Sequence, residues 1–82
     1  MKKIQTVIEK AEKTNEYGVK TINELVEFKK VFKNQSGEER AIEVEYVWYQ
    51  SIGEHTSSVC RYKKESAMRK KMEEYDFFMK NK

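Results

Sequence analysis

The sequence predicts an α+β domain: a three-stranded antiparallel sheet with an N-terminal helix and a long C-terminal helix packed on it. Three patterns carry that expectation. Ile42, Val44, Tyr46 and Trp48 alternate with Glu43, Glu45, Val47 and Tyr49, the period of a strand. Ile4, Val7, Ile8 and Ala11 fall at helical spacing. So do Met68, Met72, Tyr75 and Met79 near the other end.

Taken in order, the first pattern from the N-terminus gives a helix over 3–13, with Lys10 and Lys13 in its last turn, where cations suit the helix dipole. Thr14-Asn15-Glu16 and Gly18 mark its end. Residues 21–33 read two ways. Thr21-Ile22-Asn23-Glu24 has the form of a capping box, whereas Val26, Phe28, Lys30 and Phe32 alternate. The expectation is a short helix over 21–27, then a strand over 28–34. A polar turn, Asn34 to Glu39, precedes the strongest strand, Arg40–Gln50. Ser51-Ile52-Gly53-Glu54 makes a second turn, and Thr56–Tyr62 a third strand. From Lys64 onward the pattern is helical. The predicted core is Ile42, Val44, Tyr46, Trp48, Met68, Met72 and Tyr75.

The chain has 82 residues, enough for a single domain over 1–82 with a thin core. One cysteine allows no internal disulfide and fits a reducing compartment. No apolar run spans a bilayer, and the polar start does not read as a secretion signal, so the expectation is a cytoplasmic protein with no membrane partner. The Lys-, Glu- and Asn-rich, proline-free composition has the style of AT-rich bacterial or phage genomes.

Chemistry is sparse. His55 and Cys60 are the only histidine and cysteine, with no third orienting group, too few for a structural zinc site and poor for a nucleophilic pair. The carboxylates lie among lysines and arginines at i, i+4 spacing, Glu65 with Arg69 and Lys70 with Glu74 among them, as on a solvated helix face. No catalytic residue, metal ligand or cofactor is assigned.

Binding is better supported. The segment 61–71 holds six cations (Arg61, Lys63, Lys64, Arg69, Lys70 and Lys71) against Glu65, a net +5; the remaining eleven cations and thirteen acids sum to −2. Such a stripe reads either as a phosphate grip or as a solubilising face. Val47 and Tyr49 fall on the strand face away from the predicted core. Phe77 lies opposite the methionine stripe on a continuing helix, in line with Lys63 and Lys70 at sevenfold spacing. These five residues form the predicted partner-binding surface.

The order helix, three strands, helix, with Lys63-Lys64-Glu65-Ser66-Ala67 opening the last helix, resembles a double-stranded-RNA-binding domain. That resemblance implies phosphate contacts from the last helix and minor-groove contacts from the first helix and first hairpin loop. Three-stranded-sheet DNA-binding modules, such as integrase arm-binding domains, are similar in outline. The leading expectation is a non-enzymatic binding protein of phage or mobile-element type that inhibits or redirects a host protein such as a defence nuclease. The alternative is a small nucleic-acid-binding regulator using the 61–71 stripe. A homodimer is a further way to cover the exposed aromatics.

Overall fold

The computed structural model describes residues 2–79. It is a four-stranded antiparallel meander followed by one short helix. The strands are β1 (Lys2–Thr14), β2 (Lys20–Lys33), β3 (Glu39–Ile52) and β4 (His55–Tyr62), adjacent in chain order. Helix α1 (Glu65–Glu74) crosses one face. The molecule measures 56 × 25 × 15 Å, so it is long and thin.

This overturns the expected fold class. The N-terminal segment is strand β1, not a helix. Residues 21–27 belong to β2, not to a short helix. The sheet has four strands instead of three, and the C-terminal helix has ten residues instead of being long. With no helix before the first hairpin, the order that resembles a double-stranded-RNA-binding domain is absent, and the three-stranded DNA-binding outline goes with it.

A β-bulge explains the misleading pattern in β1. Val7 pairs with Val26 and Glu9 with Leu25, so Ile8 is an extra residue in the ladder. The extra residue switches which parity faces the core. Ile8 and Ala11, three apart, therefore both pack against the same cluster, as they would on a helix. In β2 the cause is different. Adjacent Leu25 and Val26 are both buried because the strand is central: Leu25 lies in the core under α1, and Val26 among the longer side chains of the other face. Long-range pairing with β1 and β3 prevails over the local capping-box signal.

The first two hairpins use the same four-residue turn, Asn15-Glu16-Tyr17-Gly18 and Asn34-Gln35-Ser36-Gly37. Asn15 Oδ1 accepts from the Tyr17 and Val19 amides at 2.9 and 3.0 Å. Asn34 Oδ1 accepts from the Ser36 and Glu38 amides at 3.0 and 2.9 Å. Gly18 and Gly37 have φ of 80° and 86°, the left-handed region that glycine occupies without strain.

The core lies between α1 and one face of the sheet. Leu25, Tyr46, Trp48, Met68, Met72 and Phe77 form it, with Ile8, Ala11, Val44, Cys60 and Tyr62 at its margin. Two predicted core residues lie outside it: Ile42 is 55% exposed and Tyr75 is 63% exposed. Phe77, expected on the surface, is fully buried.

The end of α1 accounts for the exchange of Tyr75 for Phe77. The Phe77 amide donates to the Met72 carbonyl at 2.8 Å, across Asp76 with φ of 54°. This is a Schellman-type ending with aspartate in the position that glycine most often fills. Tyr75, the C-cap residue, is left exposed, and the reversal after it turns Phe77 onto Trp48, edge to face at 5.2 Å between centroids.

One polar residue is built into this core. Asn23 is buried, and its Oδ1 accepts from Trp48 Nε1 at 3.1 Å and Gln50 Nε2 at 3.0 Å. Its Nδ2 donates to the Phe77 carbonyl at 3.0 Å. Asn23 thus ties the central strands to the segment beyond the helix. Burial without these partners would cost several kcal/mol, on the order of 1–3 per group.

Candidate functional site

Helix α1 covers one face of the sheet, and no described element covers the other. The register places Val26 opposite Val47, and Val47 opposite Arg61, on the uncovered face. Phe28 pairs with Glu45, Glu24 with Tyr49, and Lys30 with Glu43 on the same side. Val26 and Val47 form an apolar floor and are themselves buried by the longer side chains around them.

Phe28 and Tyr49 stand on that floor with their rings edge to face, 6.4 Å apart. They share a shallow open groove of about 210 Å³ with Lys3, Lys29, Lys30, Glu43, Glu45 and Arg61. The groove's charges are largely matched. Lys30 meets Glu43 at 3.2 Å and Arg61 meets Glu45 at 3.2 Å, while Lys29 reaches Glu27 at 3.2 Å on the α1 side of the strand. These pairs are partly exposed, and pairs of that kind contribute about 0–1 kcal/mol each. They matter more as a pattern that a partner's charges must fit.

The predicted site residues separate on this framework. Tyr49 is half-buried and lies in the groove, while Val47 is its floor, without solvent exposure of its own. Phe77 is packed in the core and is not available to a partner. Lys63 precedes the helix and Phe77 follows its reversal, so Lys63, Lys70 and Phe77 do not line one helical face. Lys63 and Lys70 are exposed on separate elements. The N-terminal segment lies within the sheet plane as β1 and does not cover Val47 or Tyr49.

The basic stripe is divided as well. Arg61 belongs to the open face, whereas Arg69, Lys70 and Lys71 ride on α1 across the sheet. Arg69 is held by Glu9 at 3.2 Å and Glu65 at 3.0 Å, which raise its pKa through hydrogen bonds and charge. Lys71 is paired with Glu74 at 3.1 Å and sits over the Tyr75 ring. Its pKa is raised first by the Glu74 hydrogen bond. Among the described residues, Lys63, Lys64 and Lys70 have no carboxylate at ion-pair distance. The stripe is therefore three loose lysines and three matched cations on two faces, not one phosphate-binding track.

Cys60 lies at the margin of the core, its Sγ 3.7 Å from Met68 Sδ. Burial pushes its thiol pKa up, away from the thiolate a nucleophile needs. His55 opens β4, five residues away along an extended strand, a separation of about 16 Å at the usual rise. Among the described residues no group of three or more His, Cys, Asp or Glu side chains is placed to hold a metal ion. No described helix is long and apolar enough to cross a membrane.

The sequence reading missed Phe28 as a site residue. Its signal was present in the alternation of Val26, Phe28 and Lys30, which puts Phe28 on the Tyr49 face once residues 21–33 are one strand. Comparison with known proteins found no matching family model, curated protein or solved structure.

Proposed function

We propose that this chain is a non-enzymatic binding protein, and that its open sheet face, centred on Phe28 and Tyr49, receives another protein, of the host-factor kind expected from the sequence. The supporting observation is that one whole face of the sheet, with an apolar floor and an aromatic pair, has no covering layer among the described residues. Sheets normally bury such a face against a second layer. Here α1 provides that layer on one side alone. An aromatic pair on an apolar floor, rimmed by matched Lys–Glu pairs, suits a protein interface: a central anchor with a polar rim. The outline of the molecule, roughly 56 by 25 Å, is large enough for a standard interface of about 800 Å² per partner.

The second reading is single-stranded nucleic acid stacked on Phe28 and Tyr49, favoured by four cations against two acids around the groove. Of those cations Lys30 and Arg61 are already paired with the two acids, and Lys29 with Glu27 on the α1 side, which favours the protein. Salt separates the two. Nucleic-acid binding would weaken by orders of magnitude between low and moderate salt, whereas a protein held by aromatic contacts would be far less sensitive. The test compares capture of an identified partner by the wild-type chain and by Tyr49→Asp, both shown to be folded. Loss of capture in Tyr49→Asp, with little salt dependence in the wild type, supports the reading. Undiminished capture by Tyr49→Asp contradicts it.

A further inference from the structure

The sheet has open backbone edges as well as an open face, and they differ in charge. β3 pairs with β2 from Glu39 to Ile52, but with β4 only from Tyr46 onward, because β4 ends at Tyr62 and the chain leaves toward α1. Among the described residues, nothing pairs with the outer edge of β3 from Glu39 to Glu45. The groove of Phe28 and Tyr49 adjoins this step, with Glu43, Glu45 and Arg61 among its lining residues. We propose that this edge receives an extended segment of the partner bearing alternate lysines or arginines, added as a strand in line with β4. The inference rests on the protein-binding reading above and names the form its partner takes.

Charge selects this edge and this occupant. The outer strand β1 carries Lys2, Lys3, Lys10 and Lys13 against Glu9 and Glu12, and would repel a basic strand. β4 carries Arg61 and no acid. The open part of β3 carries Glu43 and Glu45 on the groove face, with Arg40, and Glu39 on the other face; Lys30 and Arg61 engage one oxygen each of Glu43 and Glu45 and leave the second to a neighbour on the outer side. An added strand would place its side chains directly beside Glu43 and Glu45, on the side away from β2. Opposite charges in such cross-strand positions are favourable, and like charges unfavourable.

The same rule argues against a second copy pairing edge to edge. A twofold pairing centred on Ile42 sets Glu39 opposite Glu45. One centred on Glu43 sets that residue against itself, and one centred on Val44 sets Glu43 against Glu45. Ile42 is also an extra residue relative to β2, since Lys30 pairs with Glu43 and Val31 with Ala41. That bulge divides the edge into two short stretches, which hinders long, flat self-association. A neighbour's basic β1 could pair there only head to tail, a contact that does not close and would grow into polymers.

The probe is a short end-capped peptide alternating lysine and threonine, added to the full chain and followed by amide NMR shifts. It is compared with the same peptide carrying glutamate in place of lysine. The lysine peptide should shift amides across 39–45 and bind at least about tenfold more tightly than the glutamate peptide. N-methylation of alternate amides along one peptide edge should abolish binding, and along the other leave it. Glu43→Lys with Glu45→Lys should reverse the charge preference; if that pair misfolds, Glu43→Gln with Glu45→Gln should erase it. Equal binding by both N-methylated forms would show simple charge attraction and overturn the proposal. So would shifts confined to β1 or α1, no binding, or concentration-dependent polymers with 39–45 protected. Failure here with Tyr49-dependent partner capture intact removes the added strand alone; loss of the Tyr49 dependence removes the reading beneath it.

Discussion

Replacing Asn23 by alanine tests the tie between the sheet and the segment after α1. The substitution removes three hydrogen bonds, to Trp48 Nε1, Gln50 Nε2 and the Phe77 carbonyl. Trp48 and Phe77 are at most 2% exposed, so the indole N–H and the carbonyl lose their partner in a dry setting. Gln50 is only half-buried and can turn to water. Two buried groups left unsatisfied, at about 1–3 kcal/mol each, give an expected loss of about 2–6 kcal/mol. A domain of this size has about 4–12 kcal/mol in total, so the variant should be close to its unfolding threshold. Urea denaturation followed by Trp48 fluorescence reads the change directly. Gln50→Ala, which removes one half-exposed partner, should cost less than about 1 kcal/mol. If Asn23→Ala unfolds within about 1 kcal/mol of the wild type, the buried hub does not hold the C-terminal segment as described.

Further outcomes follow from the same structure. Phe77→Ala should cost about 3–5 kcal/mol in denaturant melts, as should Trp48→Ala, since both rings are buried against each other. Gly18→Ala and Gly37→Ala should each lower stability by about 1 kcal/mol by forcing a side chain into the left-handed region. The Tyr46 hydroxyl has its pKa raised by burial, then by its hydrogen bond to Glu27 and by that carboxylate's charge. Because the folded value exceeds the unfolded one, near 10, this contribution is complete below about pH 10 and lost as pH rises through the folded value. Stability measured against pH should therefore fall on the alkaline side, and Tyr46→Phe should reduce that fall.

Parts of this architecture are legible in the residues and parts are hidden for identifiable reasons. Alternation from Ile42 to Tyr46, followed by the aromatic and β-branched run to Tyr49, marks β3, and the Thr- and Ser-rich run to Tyr62 marks β4. Both are found within a few residues of their ends. β1 is hidden because the bulge at Ile8 gives a strand helical spacing. The repeated Asn-x-x-Gly turn, at Asn15 and again at Asn34, is the signal that would have paired β1 with β2. The reversal after α1 is hidden because Asp76 takes the left-handed position without a glycine to announce it. A helix continued past Tyr75 would put Phe77 on a face that does not exist there. On the candidate surface, Tyr49 is legible from alternation alone. Phe28 is legible from the alternation of Val26, Phe28 and Lys30 once residues 21–33 form one strand, which the capping-box signal at Thr21 to Glu24 hides.

The central claim is that the open face around Phe28 and Tyr49 is where a partner sits. The most direct measurement replaces Tyr49 with a photoreactive benzoylphenylalanine, which keeps an aromatic ring in the groove, and irradiates the chain with its partner. The matched control carries the same residue at Lys70, exposed on α1 across the sheet. With the partner on the open face, a covalent adduct should form from position 49 and little from position 70. An adduct from position 70 with none from position 49 would place the partner on the helix side and contradict the claim.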